Sequence, residues 1–98
     1  MTLFTLRTIG KEAFTSCIGL TEMVFPEGLE QIGQEAFSGC ENLESISLPS
    51  TLKVIGAYAF FGCQELETIV IPNSVEEIGD NAFGRCMKLK DVDLPSIG

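Results

Sequence analysis

Cysteine is the first residue type in this sequence that could do chemistry. Cys17, Cys40, Cys63 and Cys86 recur at a constant interval of 23 residues. Zinc motifs place pairs of ligands only a few residues apart, and the sequence contains no histidine. A column of stacked cysteines would still bring neighbouring sulfurs within reach, so a disulfide or a metal-binding thiolate ladder stays open. We expect four reduced, largely buried thiols, because free cysteine is among the most buried residue types.

Paired carboxylates are the second candidate for chemistry. Glu76 and Glu77 are adjacent, so on an extended segment they point to opposite faces and form a poor acid–base pair. Asp91 and Asp93 share a strand face and could begin a calcium site, but calcium takes about six to eight oxygen ligands. A solvated acidic face is the simpler interpretation. Since triads built on imidazole need histidine, we predict no enzymatic activity, no metal and no cofactor.

The composition restricts the class of protein further. A chain of 98 residues with 45% hydrophobic residues predicts one globular domain. The 14 acidic and 6 basic residues give a net charge of −8, which argues against binding to nucleic acid or to anionic lipid. No apolar run is long enough to cross a bilayer, and no signal segment opens the chain.

A nine-residue motif occurs four times, and its last residue is the recurring cysteine. It begins at Ile9 (IGKEAFTSC), Ile32 (IGQEAFSGC), Ile55 (IGAYAFFGC) and Ile78 (IGDNAFGRC). We therefore predict a single solenoid domain over residues 1–98, with repeats at approximately 9–31, 32–54, 55–77 and 78–98 and a partial repeat at 1–8. Each unit is too small to bury its own apolar residues, so like residues must stack on like. The cysteine and phenylalanine columns then belong to the core.

Each repeat predicts the same three elements. Leu43 to Pro49 (LESISLP) is typical of a short strand that ends at proline. Thr51 to Gly56 (TLKVIG) predicts a second extended segment, closed by a glycine that tolerates a sharp turn. Gln34 to Cys40 (QEAFSGC) predicts one turn of α- or 3₁₀-helix with one face inward. Successive coils should pair their strands in parallel.

The repeated pattern LxxIxLPxxLxxIGxxAFxxC resembles the BspA-like, Treponema-type class of leucine-rich repeats. The match covers essentially the whole chain, apart from Thr2, Leu3 and Gly98 at its edges. The resemblance implies a leucine-rich-repeat solenoid of four right-handed coils, each with parallel strands and one short helical turn. It also implies an exported bacterial surface protein, located outside the cell or on its surface, that binds host matrix or cell-surface proteins.

The ends of the chain carry no polar cap sequence, although solenoids need one for solubility. The last predicted strand, Leu89 to Leu94, would present unpaired backbone groups. We therefore expect either a fragment of a longer repeat array or end-to-end self-association.

The outward positions of the first strand form a mixed acidic surface, and in solenoids such a face commonly binds partners. Ordinary solubility is the alternative explanation. The candidate residues of this outer strand face are Glu22, Glu44, Ser45, Ser47, Glu67, Thr68, Lys90, Asp91 and Asp93.

One repeat carries aromatic residues where the others do not. Tyr58 occupies a column that otherwise holds glutamate or asparagine, and Phe61 one that holds threonine, serine or glycine. The two residues are i, i+3 neighbours, so we expect them to lie together on the outside. Paired exposed aromatics are typical of contact hot spots. The alternative is an apolar spot without function, or a contact with an adjoining domain.

The sequence thus predicts a non-catalytic protein-binding or adhesion module. Two alternatives remain open at this point, a structural spacer and a targeting module of a larger enzyme.

Overall fold

A computed structural model describes residues 6–93. These residues form a stack of coils in which every strand pairing joins residues 23 positions apart. Each coil contributes one three-residue strand and one two-residue strand. In chain order the strands are β1 (Thr8–Ile9), β2 (Glu22–Val24), β3 (Gln31–Ile32), β4 (Ser45–Ser47), β5 (Val54–Ile55), β6 (Thr68–Val70), β7 (Glu77–Ile78) and β8 (Asp91–Asp93).

The parallel solenoid that the repeats predict is confirmed. The two-residue strands build one continuous parallel sheet in the order β1-β3-β5-β7. The three-residue strands pair in parallel as β2 with β4 and β6 with β8. The expected pairing of β4 with β6 is absent, so this second face is divided into two short sheets.

The core consists of columns of like residues. The rings of Phe14, Phe37, Phe60 and Phe83 stack with centroid separations of 5.0, 5.3 and 5.5 Å. Phe37 and Phe60 are fully buried, whereas Phe14 is 38% exposed at the first coil. The leucines and isoleucines of the central coils surround this column and exclude water from it. The predicted ladder of phenylalanines is therefore confirmed, and its inner members are the best buried.

The predicted helical turn is wrong. From Gly33 to Cys40 the chain instead forms consecutive turns, in which Ala36, Ser38 and Cys40 donate to carbonyls three residues earlier. The N–H groups that alternate with these donate across to the next coil. In the second coil these bonds run from Glu35, Phe37 and Gly39 to the carbonyls of Ala57, Ala59 and Phe61.

The spacing of the coils explains this correction. Packed helices need about 8–10 Å between their axes, whereas neighbouring strands lie about 4.8 Å apart. A helical turn in every coil would therefore spread that side of the stack and splay the coils apart there. The turns stack at nearly the strand spacing because alternate N–H groups bond the next coil.

The repeated glycine at the start of each turn also has a different role from the one expected. A Cβ atom on Gly33 would lie 2.8 Å from the carbonyl carbon of Gly10, and one on Gly56 would lie 2.7 Å from the backbone nitrogen of Gln34. The close approach of two coils requires glycine at these positions.

Candidate functional site

Tyr58 lies on the outer surface of the turns in an uncommon backbone conformation. Its φ angle is 58°, in the left-handed region, and its side chain is 37% exposed. The equivalent residues Glu12, Glu35 and Asn81 share this conformation. Asparagine adopts it at low cost, but a bulky aromatic residue there is an outlier. A large ring is thus held outward at a position where the backbone favours small or polar residues.

Phe61 lies beside Tyr58, with the ring centroids 5.2 Å apart and the rings inclined at 60°. Phe61 is half-buried, because its ring covers Gly84 of the next coil. The hydroxyl of Tyr58 accepts a hydrogen bond of 3.3 Å from Nδ2 of Asn81. The structure therefore places both aromatic side chains together. The next coil accommodates them, because Gly84 leaves space for the Phe61 ring and the Asn81 amide bonds the Tyr58 hydroxyl.

The outer strand face places the remaining candidate residues on a second surface. The side chains of Glu22, Glu44, Ser45, Ser47, Glu67, Thr68 and Lys90 are exposed. Strand β8 contains Asp91 and Asp93, whose side chains lie outside the described part of the structure, as does Leu94. Two exposed ion pairs lie at this face, one from Lys88 to Glu65 at 2.9 Å and one from Lys90 to Glu67 at 3.8 Å.

Two exposed valines interrupt the polar character of this face. Val24 and Val70 are 67% and 64% exposed on β2 and β6. The sequence places them in the outward column, together with Ser47 and Asp93. The candidate list was based on polar residues, and therefore it left out these two apolar side chains.

The cysteines form an internal column. All four are free thiols; Cys40, Cys63 and Cys86 are buried and Cys17 is half-buried. Sγ of Cys40 donates to the carbonyl of Phe14 in the preceding coil at 3.2 Å, and Cys63 and Cys86 repeat this contact one and two coils later. The expectation of reduced, mostly buried thiols agrees with this arrangement. Sequence reasoning did not foresee that each thiol also bonds a carbonyl of the coil before it.

Burial changes the acidity of the central thiols. Desolvation raises the pKa of Cys40. The neighbouring Cys86 thiol raises the pKa of Cys63, and burial raises it further. Thiolate is the form that attacks substrates and binds metals, so these two residues are held in the unreactive form. Within residues 6–93, no group of three or more potential metal ligands lies together.

The stacked coils, with their parallel strands and their leucine, phenylalanine and cysteine columns, define a leucine-rich repeat solenoid. The sequence profile of the BspA-type leucine-rich repeat region (6 copies) matches residues 3–97. The chain therefore belongs to the BspA-type leucine-rich repeat family.

Solved structures of bacterial proteins are similar to this fold. A leucine-rich repeat protein of Treponema pallidum is 34% identical with a TM-score of 0.66, over 92% of this chain and 53% of that one. A leucine-rich cell surface protein of Faecalibacterium prausnitzii is 29% identical with a TM-score of 0.76, over 89% of this chain and 29% of that one. A leucine-rich repeat protein of Bacteroides ovatus is 36% identical with a TM-score of 0.71, over 92% of this chain and 29% of that one. No curated protein sequence matches the chain.

The chain thus spans about half of the T. pallidum protein and less than a third of the other two. It is a repeat module similar to part of a bacterial leucine-rich cell surface protein. The described residues contain no helix with the length and apolar character needed to cross a membrane.

Proposed function

We propose that this chain is a non-catalytic protein-binding module of an exported bacterial surface protein, used for adhesion, and that Tyr58 and Phe61 form the centre of its contact site. The observation that supports this proposal is the conformation of Tyr58. A bulky ring is kept on the surface at a φ angle of 58°, where most side chains are unfavourable. The other coils place glutamate or asparagine in the same conformation, so the repeat requires the backbone geometry but not the aromatic ring.

The chemistry of the pair supports a protein partner. Tyrosine and phenylalanine offer large rigid areas for contact, and tyrosine adds a hydroxyl that can exchange hydrogen bonds with a partner. The Tyr58 ring is inclined at 60° to that of Phe61, and the two lie together at the surface. In the same columns the other coils carry small or polar side chains, which would surround the aromatic contact with a hydrated rim.

The similarity to a bacterial cell surface protein supports the location and the class of partner. A host matrix or cell-surface protein would meet the module outside the cell. The acidic net charge of −8 favours partners with basic surfaces.

The proposal is tested with a double variant, Tyr58→Ala with Phe61→Ala, on an array of purified matrix and cell-surface proteins at physiological salt. The expected result is saturable binding by the wild-type chain and a loss of about 2 kcal/mol or more of binding free energy in the double variant. The matched control is Glu12→Ala with Thr15→Ala, which changes the same two columns in the first coil. Equal binding by the double variant and the wild type would exclude the aromatic pair as the contact site.

A further inference from the structure

The three-residue strands contain a seam between the second and third coils. The N–H of Glu44 donates to the carbonyl of Thr21, and the N–H of Lys90 donates to the carbonyl of Glu67, each at 2.8 Å. The equivalent bond from Glu67 to Glu44 is absent, and no ladder joins β4 to β6. These strands lie side by side within the described residues, but they are not hydrogen-bonded to one another.

A groove of about 320 Å³ opens at this seam. Its lining is mostly apolar, and comes from Ile46, Ser47 and Leu48 on one side and Val70 and Pro72 on the other. Val70 is 64% exposed, so water covers this apolar surface in the free protein. Removing an exposed aliphatic side chain from water is favourable, and therefore the groove suits the side chain of another molecule.

Carboxylates stand at one end of the groove. Glu44 and Glu67 directly precede β4 and β6, about three residues or 10 Å along the strands from the groove-lining residues Ser47 and Val70. Lys90 lies 3.8 Å from Glu67, and Lys88, which bonds Glu65, also lies within the field of Glu44. Three glutamates thus face two lysines, and the acidic end of the groove keeps a net negative charge.

We infer that the seam between β4 and β6 binds an extended segment of a protein partner, which inserts one aliphatic side chain into the groove and places a lysine or arginine near Glu44. Alternate side chains of an extended peptide lie on one face at about 7 Å intervals. A basic residue two positions from the aliphatic one has a side chain long enough to cover the remaining distance to the carboxylates. The site is separate from Tyr58 and Phe61, which lie on the turns, and does not depend on them.

The test uses a blocked seven-residue peptide with leucine at its centre, lysine two positions to either side, and threonine or glycine elsewhere. The peptide is titrated into the wild-type chain and followed by amide chemical shifts. We expect saturable shifts at Ser47 and Val70. Since affinity depends on the buried aliphatic group, the leucine→serine peptide should bind about five-fold more weakly. The peptide with glutamate in place of both lysines should bind more weakly still, because it meets like charge.

Two matched pairs of variants locate the site on the protein. Val70→Ser should weaken binding about five-fold, whereas Val24→Ser, in the same column and equally exposed but outside the groove, should change it less than about two-fold. Glu44→Gln should reduce both the affinity and its dependence on salt, whereas Glu76→Gln, which precedes a strand of the other sheet, should not.

Three outcomes would overturn the inference. One is absence of saturable binding of the lysine–leucine peptide at millimolar concentration. Another is an equal effect of Val70→Ser and Val24→Ser. The third is localisation of the shifts to Tyr58 and Phe61, which would support the aromatic pair and remove the groove as the site.

Discussion

The ring of Phe61 occupies the space that a side chain on Gly84 would need. A Cβ atom at residue 84 would lie 2.8 Å from Cδ1 and 3.0 Å from Cε1 of Phe61. The aromatic residue of one coil and the glycine of the next therefore form a complementary pair. Gly84 is what allows Phe61 to lie against the stack and against Tyr58.

Gly84→Ala should displace the Phe61 ring and separate it from Tyr58. The added methyl group meets the far end of a side chain that can rotate away, so the cost in stability should be only about 1 kcal/mol. Nuclear Overhauser contacts between the two rings measure the displacement. Gly19→Ala is the control, because a Cβ atom there meets nothing within 4 Å. Unchanged ring contacts in Gly84→Ala would show that the two residues are not coupled.

Phe60→Ala should be among the most damaging single changes, since Phe60 is fully buried between two stacked rings. The expected loss in the free energy of unfolding is about 3–5 kcal/mol. Phe14→Ala should cost clearly less, because Phe14 is 38% exposed. Urea denaturation of the two variants decides the point. Equal losses would contradict a column whose inner rings carry most of the stability.

Arg85→Gly should stabilise the fold. Arg85 has a φ angle of 55°, in a column where the second and third coils already have Gly39 and Gly62. A residue with a Cβ atom costs about 1 kcal/mol in the left-handed conformation, and glycine removes this cost. Part of that gain is lost, because glycine has greater conformational freedom in the unfolded chain. A gain of about 0.5 kcal/mol in urea denaturation is expected. Ser38→Gly, at a position without positive φ, should instead be neutral or destabilising.

Alkaline pH should destabilise the fold through Cys40. Burial raises the pKa of Cys40 above its ordinary value in the folded chain. The contact between Cys63 and Cys86 raises the pKa of the first thiol and lowers that of the second, so these two shifts oppose one another. As the pH rises, Cys40 therefore loses its proton first in the unfolded chain. The free energy of unfolding should be independent of this thiol below about pH 8.5 and fall above it, by up to about 1.4 kcal/mol per pH unit.

The control for this pH dependence is Cys40→Ala, which should have a smaller alkaline slope than the wild type. Alkylation in the native state provides a second measurement, since the half-buried Cys17 should react before the buried thiols. Equal alkylation rates at all four cysteines would contradict the internal column.

The sequence predicted the columns, because identical residues at a fixed interval can be buried only by stacking. The burial of Phe37, Phe60 and the cysteines was predicted from this rule alone. The helical turn was predicted wrongly, because the spacing of Ala36, Phe37 and Cys40 fits one turn of helix as well as it fits consecutive turns. Only the distance between neighbouring coils distinguishes a helical turn from consecutive turns, and that distance is a property of the assembled stack.

Other features had no signal in the sequence. Coils two and three have the same strand pattern, so nothing predicted the seam between β4 and β6. The positive φ angle of Tyr58 could not be predicted either, since its column holds glutamate, tyrosine and asparagine and no glycine. By contrast, glycine at residues 39 and 62 was a usable indication of the second left-handed position. The pairing of Tyr58 with Phe61 was predictable because both residues depart from their columns in the same repeat.

The central claim is that Tyr58 serves contact rather than folding, and the stability of Tyr58→Asn tests it most directly. Asparagine is the residue of the next coil at this position and tolerates the left-handed conformation. Relief of backbone strain should offset the lost contact with Phe61, so that the free energy of unfolding in urea changes by less than about 1 kcal/mol. A loss of about 2 kcal/mol or more would contradict the claim, because Tyr58 would then be a structural residue of the solenoid.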